Sequence, residues 1–303
     1  MPRAFRILIA LLLTMGAASV RLSSRLMASS DGNDGAAEKS GQHASLKPVA
    51  TSSPDIPFSE HDPEAEEALL SLANEARAQA GLHALVPDAG LRQAARAHAG
   101  AMLAAHRLSH QFDGELPLSR RLADTTETLL DQEGENVALD FDANNGHRHL
   151  MLSPPHRANL LNASYNVVGM GVIRSGDRLY IVQDFGHALP NYSTAEVKER
   201  IALTVAQTRH QTKQSALARR GLPTADDAAC SMAQADKLGT SPVRQLTQRY
   251  TVLTYTSLHP ETLPAEAART LAGRNLHGFS VGACYARTET YPTGVYWVLL
   301  ALD

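Results

Sequence analysis

Residues 152–185 read LSPPHRANLLNASYNVVGMGVIRSGDRLYIVQDF. The stretch opens on a rigid turn, Ser153-Pro154-Pro155, with His156 directly after it. A short apolar helical turn, 158–161, then leads to Asn162. Two runs of strand composition follow, Val167–Ile173 and Leu179–Phe185. Between them the Gly176-Asp177 pair is a hairpin signal. A histidine held by a stiff turn at the rim of a sheet is placed to face a cleft.

Upstream, Asp62 can cap a helix over residues 61–80 that has Pro63 at its first position and Glu64, Glu66 and Glu67 at its positive end. Leu69, Leu72, Ala73 and Ala76 form its apolar stripe, and Gly81 ends it. Pro87-Asp88 starts a second helix with Leu91, Ala94, Ala95, His98, Met102 and Ala105 on one side, so His98 reads as a core or capping histidine. Leu108-Ser109-His110 breaks that helix, and a short third one follows Pro117. Beyond it stands Glu133-Gly134-Glu135-Asn136-Val137-Ala138, and 147–152 is helical in pattern.

Several of these motifs, in this order, resemble the CAP domain of cysteine-rich secretory, antigen-5 and pathogenesis-related proteins, in its bacterial SCP-like form. They are Asn74-Glu75-x-Arg77 before Gly81-Leu82, then Gly134-Glu135-Asn136, and His156-Arg157-x-Asn159 with Leu161-Asn162. Tyr165-Asn166, Gly169-x-Gly171 and Tyr180 with Gln183-x-Phe185 complete the set. The likeness spans about residues 66–188. It implies a three-layer α/β/α sandwich, where local pattern alone gives only an α+β arrangement. The expected fold class is therefore α+β: a CAP domain over 61–190, then a smaller α+β domain of no recognised family over 191–303.

The resemblance also names a site. His110, Glu135 and His156 correspond to members of a cavity cluster of two histidines and two acids. Two imidazoles and a carboxylate suit a Zn²⁺ ion with one open position, and Glu135 is the candidate catalytic base of such a site. The chain departs from the animal and plant pattern, however. Leu150 stands at the position of a tryptophan and Ser153 at that of the second acid. If Glu135 is a metal ligand, no second carboxylate remains as base, which favours ligand binding over catalysis. His147 and His149 with His156 form an alternative three-histidine set, although residues two apart on a helix do not face each other. Asn136, Arg157, Asn159 and Tyr165 read as scaffold around the His156 turn. The acceptor patterns at Asn162 and Asn191 are assigned no glycosylation.

The rest of the chain sets the context. Its 303 residues carry 44% hydrophobic and 19% charged side chains and a net charge of −3, with no electrostatic footprint for nucleic acid. Residues 1–20 read as a secretory signal, with Arg3 and Arg6 before an apolar core too short for a comfortable membrane span. Residues 21–60 read as a disordered linker. The expected location is secreted or periplasmic, with no stable membrane insertion of the mature chain. In that setting Cys230 and Cys284 are expected to pair.

Beyond residue 190, Ser193–Glu196 is a capping box opening a helix to about Arg219, whose basic residues read as a solvated face. Strands are expected at 250–258, 279–286 and 295–302, with a helix near 265–274. Val281-Gly282 and Gly294-Val295 echo the first hairpin, which reads either as a degenerate repeat of it or, the favoured reading, as ordinary strand–turn–strand composition. The function reading is a ligand-binding cleft for a lipid, sterol or glycan, with zinc as candidate cofactor and the partner of the C-terminal domain unassigned. The alternatives are a metal-assisted hydrolase and an interaction protein with a vestigial cleft.

Overall fold

The computed structural model describes residues 61–303 and the backbone of Leu8–Ile9. The leader and linker expected over residues 1–60 fall outside the described residues, apart from that dipeptide. Among the described residues no helix is long and apolar enough to cross a membrane.

Helix α1 (Pro63–Gln79) is capped by Asp62, whose side chain accepts from the Ala65 amide at 2.9 Å. Strand β2 (Val86–Pro87) leads into α2 (Ala89–Ala105), capped by Asp88. Next come α3 (Leu118–Thr125), β3 (Leu130–Asp140), α4 (Ala143–Leu152) and α5 (Pro154–Leu160). Strands β4 (Val167–Ser175) and β5 (Arg178–Ala188) close this half with a two-residue turn in which Gly176 has φ 59°. Helix α5 begins one residue after Ser153, with the proline pair in its first turn. His156 therefore sits inside a helix and not at the end of a free turn.

The four strands lie in the order β2-β4-β5-β3, with β2 parallel to β4 and the other pairs antiparallel. One face packs Val172 and Ile181 against Leu69 of α1, Leu150 of α4 and Leu160 of α5. The other packs Val137, Ile173 and Val182 against Ala95, Ala99 and Met102 of α2. This is the three-layer α/β/α sandwich. Gly169 and Gly171 set the spacing of its second interface. A Cβ on either would lie about 2.1 and 2.3 Å from α2 backbone, so only glycine lets that helix rest on β4.

The second half is formed by α6 (Thr194–Gln211), β6 (Ala218–Arg219), α7 (Thr224–Gln234), α8 (Ser241–Leu246) and β7 (Thr251–Ser257). Helix α9 (Ala265–Leu271) and strands β8 (Gly278–Ala286) and β9 (Val295–Leu302) complete it. Helix α6 stops near residue 211, a full two turns before the expected Arg219, because Lys213 takes φ 55° and residues 218–219 pair with β8 instead. Its sheet runs β1-β7-β9-β8-β6, where β1 is Leu8–Ile9 beside β7.

Apart from β1, this is the first half's topology again. A short strand (β2, β6) runs parallel to the first arm of a hairpin (β4/β5, β8/β9), and a long strand (β3, β7) lies antiparallel to the second arm. Helices α6 and α9 cover one face and α7 and α8 the other. Buried detail repeats as well. Arg77, fully buried near the end of α1, donates to the carbonyls of His83 (2.8 Å), Leu160 (3.0 Å), Asn162 (2.8 Å) and Tyr165 (3.0 Å). Arg209, buried near the end of α6, donates to Ser215 (2.8 Å), Leu271 (2.7 Å) and Gly273 (2.5 Å). In each case the first acceptor lies six residues on and the next two lie two residues apart. Gly282 repeats the close approach of Gly169, with a Cβ falling about 2.1 Å from the Ala225 carbonyl oxygen on α7.

The echo at Val281-Gly282 is therefore part of a second pass through one topology, the less favoured of the two readings from sequence. Arg209 is a buried tether and not part of a solvated face. Cys230 of α7 and Cys284 of β8 form a disulfide.

Candidate functional site

Glu135 sits near the middle of β3, paired in register with Asp184 of β5, and its side chain is 3% exposed. Four neighbours reach it from separate elements. His110, in the loop after α2, places Nδ1 2.9 Å from Oε1. Arg121 of α3 donates to Oε2 at 2.7 Å and to the His110 carbonyl at 3.1 Å. His98 of α2 lies 3.8 Å from Oε2, its ring nitrogens facing Glu115 (2.6 Å) and the Ser109 carbonyl (2.8 Å). Asp184, fully buried and the register partner of Glu135 on β5, is the fourth.

His156 completes the cleft. Its ring centre lies 6.4 Å from that of His110, the two planes tilted by 40°. The His110 side chain is 60% exposed, so a buried carboxylate holds a solvent-facing imidazole by one nitrogen and leaves Nε2 free. The structure thus brings His110 and Glu135 into contact and sets His156 beside them. The turn carrying His156 is fixed by amides: Asn136 donates to the His156 carbonyl (3.0 Å) and to Gln183 (3.1 Å), while Asn159 donates to Asn136 (2.9 Å) and to the Glu135 carbonyl (3.1 Å). Tyr165 donates to the Glu133 carbonyl at 2.9 Å. Arg157 is exposed and does not share this scaffold role.

Burial pushes the Glu135 carboxyl up, but the His110 hydrogen bond and the Arg121 charge outweigh it and hold Glu135 below its ordinary range. Asp184 is pushed the other way, well above the ordinary range, by burial and then by the Glu135 charge. Asp184 accepts from no donor, and as a neutral acid its hydroxyl faces the Glu135 carboxylate; Arg121 Nε and Nη1 lack a hydrogen-bond partner. His156 is lowered by burial and by His110. Environments that drive two adjacent carboxyls apart make one a fixed charge and the other a neutral acid.

That pairing gives a signed test. The native state prefers neutral Asp184, so its contribution is full below about pH 3.9 and is lost as pH rises toward the raised folded value. Asp184→Asn should therefore raise stability at pH 7 by roughly 1–3 kcal/mol and change little at pH 3. Urea unfolding at both values measures it, and an equal difference at both would contradict the assignment. Glu135 has the opposite sign, its contribution present above about pH 4.3 and lost as pH falls through the lowered folded value. Glu135→Gln, which leaves the Arg121 charge only the looser Glu115 contact at 3.8 Å, should cost about 3 kcal/mol at pH 7 and less on acidification. A cost that does not shrink toward acid pH would argue against the pair.

As to the zinc expected of His110, Glu135 and His156, both Glu135 oxygens are already engaged, one of them by a cation. Among the described residues no group of three or more His, Cys, Asp or Glu is arranged to hold a metal ion. A cation in this cleft would meet two imidazoles, with Glu135 behind one of them as an orienting acceptor. His147 and His149 do not join His156: His149 Nδ1 meets Asp140 at 2.5 Å, and buried His147 Nδ1 has no partner.

Arg121 and Asp184 were not among the residues singled out from sequence. Asp184 had a signal, a carboxyl between the apolar Leu179–Val182 run and Phe185 of β5. Arg121 had none that separates it from Arg120. A small groove of about 340 Å³, lined by residues including Leu152, Arg157 and Leu161, lies on α4 and α5 and contains none of the cleft residues. The second half has no copy of the centre. The register that pairs Glu135 with Asp184 opposite Gly169 pairs Thr254 with Leu299 opposite Gly282.

Residues 70–185 match the family described as CAP, the cysteine-rich secretory protein family. No curated protein matches the chain. Among solved structures, an outer surface protein of Borrelia burgdorferi is 19% identical with TM-score 0.40, over 44% of this chain and 100% of its own. An extracellular SCP-domain protein of Bacillus anthracis is 24% identical with TM-score 0.38, over 47% and 45%. A cysteine-rich secretory protein of Staphylococcus aureus is 20% identical with TM-score 0.34, over 44% and 40%. The chain thus spans less than half the length of the latter two.

Proposed function

Residues 70–185 being a CAP domain, we propose that its cleft is a ligand-binding site working outside the cytoplasm. The observation that carries this is the solvent-facing His110 ring, fixed by a buried ionised Glu135, 6.4 Å from the His156 ring. Two imidazoles at that spacing suit an oxygen-rich group, such as the hydroxyls of a glycan or the head of a lipid or sterol. Because ionised Glu135 accepts from Nδ1, that nitrogen carries the proton, and the free Nε2 of neutral His110 is an acceptor for a ligand hydroxyl. The disulfide supports an oxidising compartment.

Hydrolysis is the weaker reading. Glu135 is bound to Arg121 and held below its ordinary range, which makes it a poor proton acceptor. A divalent cation between His110 and His156 is a second reading, favoured by Glu135 orienting His110 through Nδ1.

Native mass spectrometry with soluble glycans, lipids and sterols tests the ligand reading. One class should bind wild type and lose at least tenfold in affinity in His156→Ala and His110→Ala. Retained affinity in both variants would place the ligand elsewhere. Zn²⁺ added alone, read by the same method, tests the cation reading, and uptake unaffected by either variant would sink it.

A further inference from the structure

The connection between β8 and β9 reaches out of the second half onto the element that holds Glu135. Arg287 Nη1 donates to the Ala123 carbonyl at 3.0 Å, and Nη2 donates to the Thr126 carbonyl. Those are carbonyls of the last turn and C-cap of α3, the end of a helix where acceptors lack intrahelical donors and a cation is favoured. Thr293 Oγ1 donates to the buried Leu130 carbonyl at 2.9 Å, on the first residue of β3. Arg120 of α3 returns a bond to the Glu289 carbonyl.

Helix α3 needs this support. It has eight residues, its N-cap Pro117 offers no side-chain cap, and only Leu122 and Ala123 are buried. A helix of that length is marginal without tertiary contacts. Yet its Arg121 supplies the bonds to Glu135 and to the His110 carbonyl.

The connection is itself braced. Asp236, just past α7, accepts from Thr288 Oγ1 at 2.7 Å and from the Thr290 amide at 2.8 Å. The Cys230–Cys284 disulfide ties β8 to α7 three residues before Arg287.

We infer that the second half is a strut for the cleft of the first, with Arg287 the positioning residue that caps α3 and so sets Arg121 against Glu135 and His110. This gives a role to a domain that carries no centre of its own. It also holds whatever the cleft binds, so its test needs no ligand.

The test uses the full chain with Arg287→Ala, Arg287→Lys and Thr293→Val. Two readouts apply: amide hydrogen exchange along α1, α3 and β5, and the ¹⁵N signals of the His110 ring and the Arg121 guanidinium. In Arg287→Ala, exchange at the end of α3 should rise at least tenfold while α1 and β5 keep their protection. The His110 ring should also lose the bias toward a proton on Nδ1. Arg287→Lys, which can still donate to one carbonyl, should recover part of both effects. If Arg287→Ala fails to fold, Arg287→Lys and Thr293→Val carry the same comparison at smaller amplitude. Unchanged His110 and Arg121 signals in a folded variant would overturn the inference. So would a rise in exchange shared equally by α1, α3 and β5, which marks general destabilisation.

Discussion

Arg77→Ala is expected to lower the unfolding free energy by about 5 kcal/mol, and Arg209→Ala by about 4 kcal/mol, on a net value of 1–1.5 kcal/mol for each bond lost. Arg77 serves four backbone carbonyls and Arg209 three, from loops and from the last residues of α5 and α9. Alanine leaves those carbonyls without donors and opens a cavity besides. For a chain of this size the loss corresponds to a fall of roughly 10–20 °C in melting temperature. Calorimetry of the two variants measures it. A loss under about 1 kcal/mol would mean that water replaces the guanidinium and that neither arginine ties its half together. The paired outcome matters more than either value. Comparable losses at both positions would show that the two halves are built around the same device.

Reducing the Cys230–Cys284 disulfide is expected to cost about 4 kcal/mol, because the bridge closes a loop of 54 residues and constrains the unfolded chain. Urea unfolding with and without a reductant, and of Cys230→Ser with Cys284→Ser, measures it. The bridge stands at the position held by Gly171 in the first hairpin, the register partner of Val182 as Cys284 is of Trp297. In the first half a missing side chain lets helix and strand touch; in the second a covalent bond joins them. A change below about 1 kcal/mol would mean that helix packing on β8 alone suffices.

The first half was legible because its signals are local. Asp62 with Pro63, Asp88, the Gly176-Asp177 turn and the alternation in β4 and β5 each announce an element within a few residues. No local signal singles out His110, Glu135 and His156 as a site; the resemblance to the CAP pattern does, and the structure sets His110 against Glu135 with His156 beside them. His156 inside α5 was misjudged because the proline pair reads equally as a turn and as a first helical turn.

The repeat was hidden for a physical reason. What the two halves share is register, a buried arginine and a glycine under a helix, and each of these is one residue or a pairing that single-strand patterns do not reveal. Arg209 lay in a run whose basic residues suggested a wet surface, and nothing near it in sequence marks burial. Arg121 escaped likewise, since its partner Glu135 is fourteen residues away and its support comes from Arg287.

On the proposed reading, the domain meets its ligand at the His110–Glu135–His156 cleft. The most direct measurement follows the His110 and His156 ring signals by NMR while glycans, lipid head groups and sterols are added in turn. One class is expected to move both rings together, and His156→Ala to abolish the movement at His110. Tight binding of any of these ligands with both rings unmoved would contradict it.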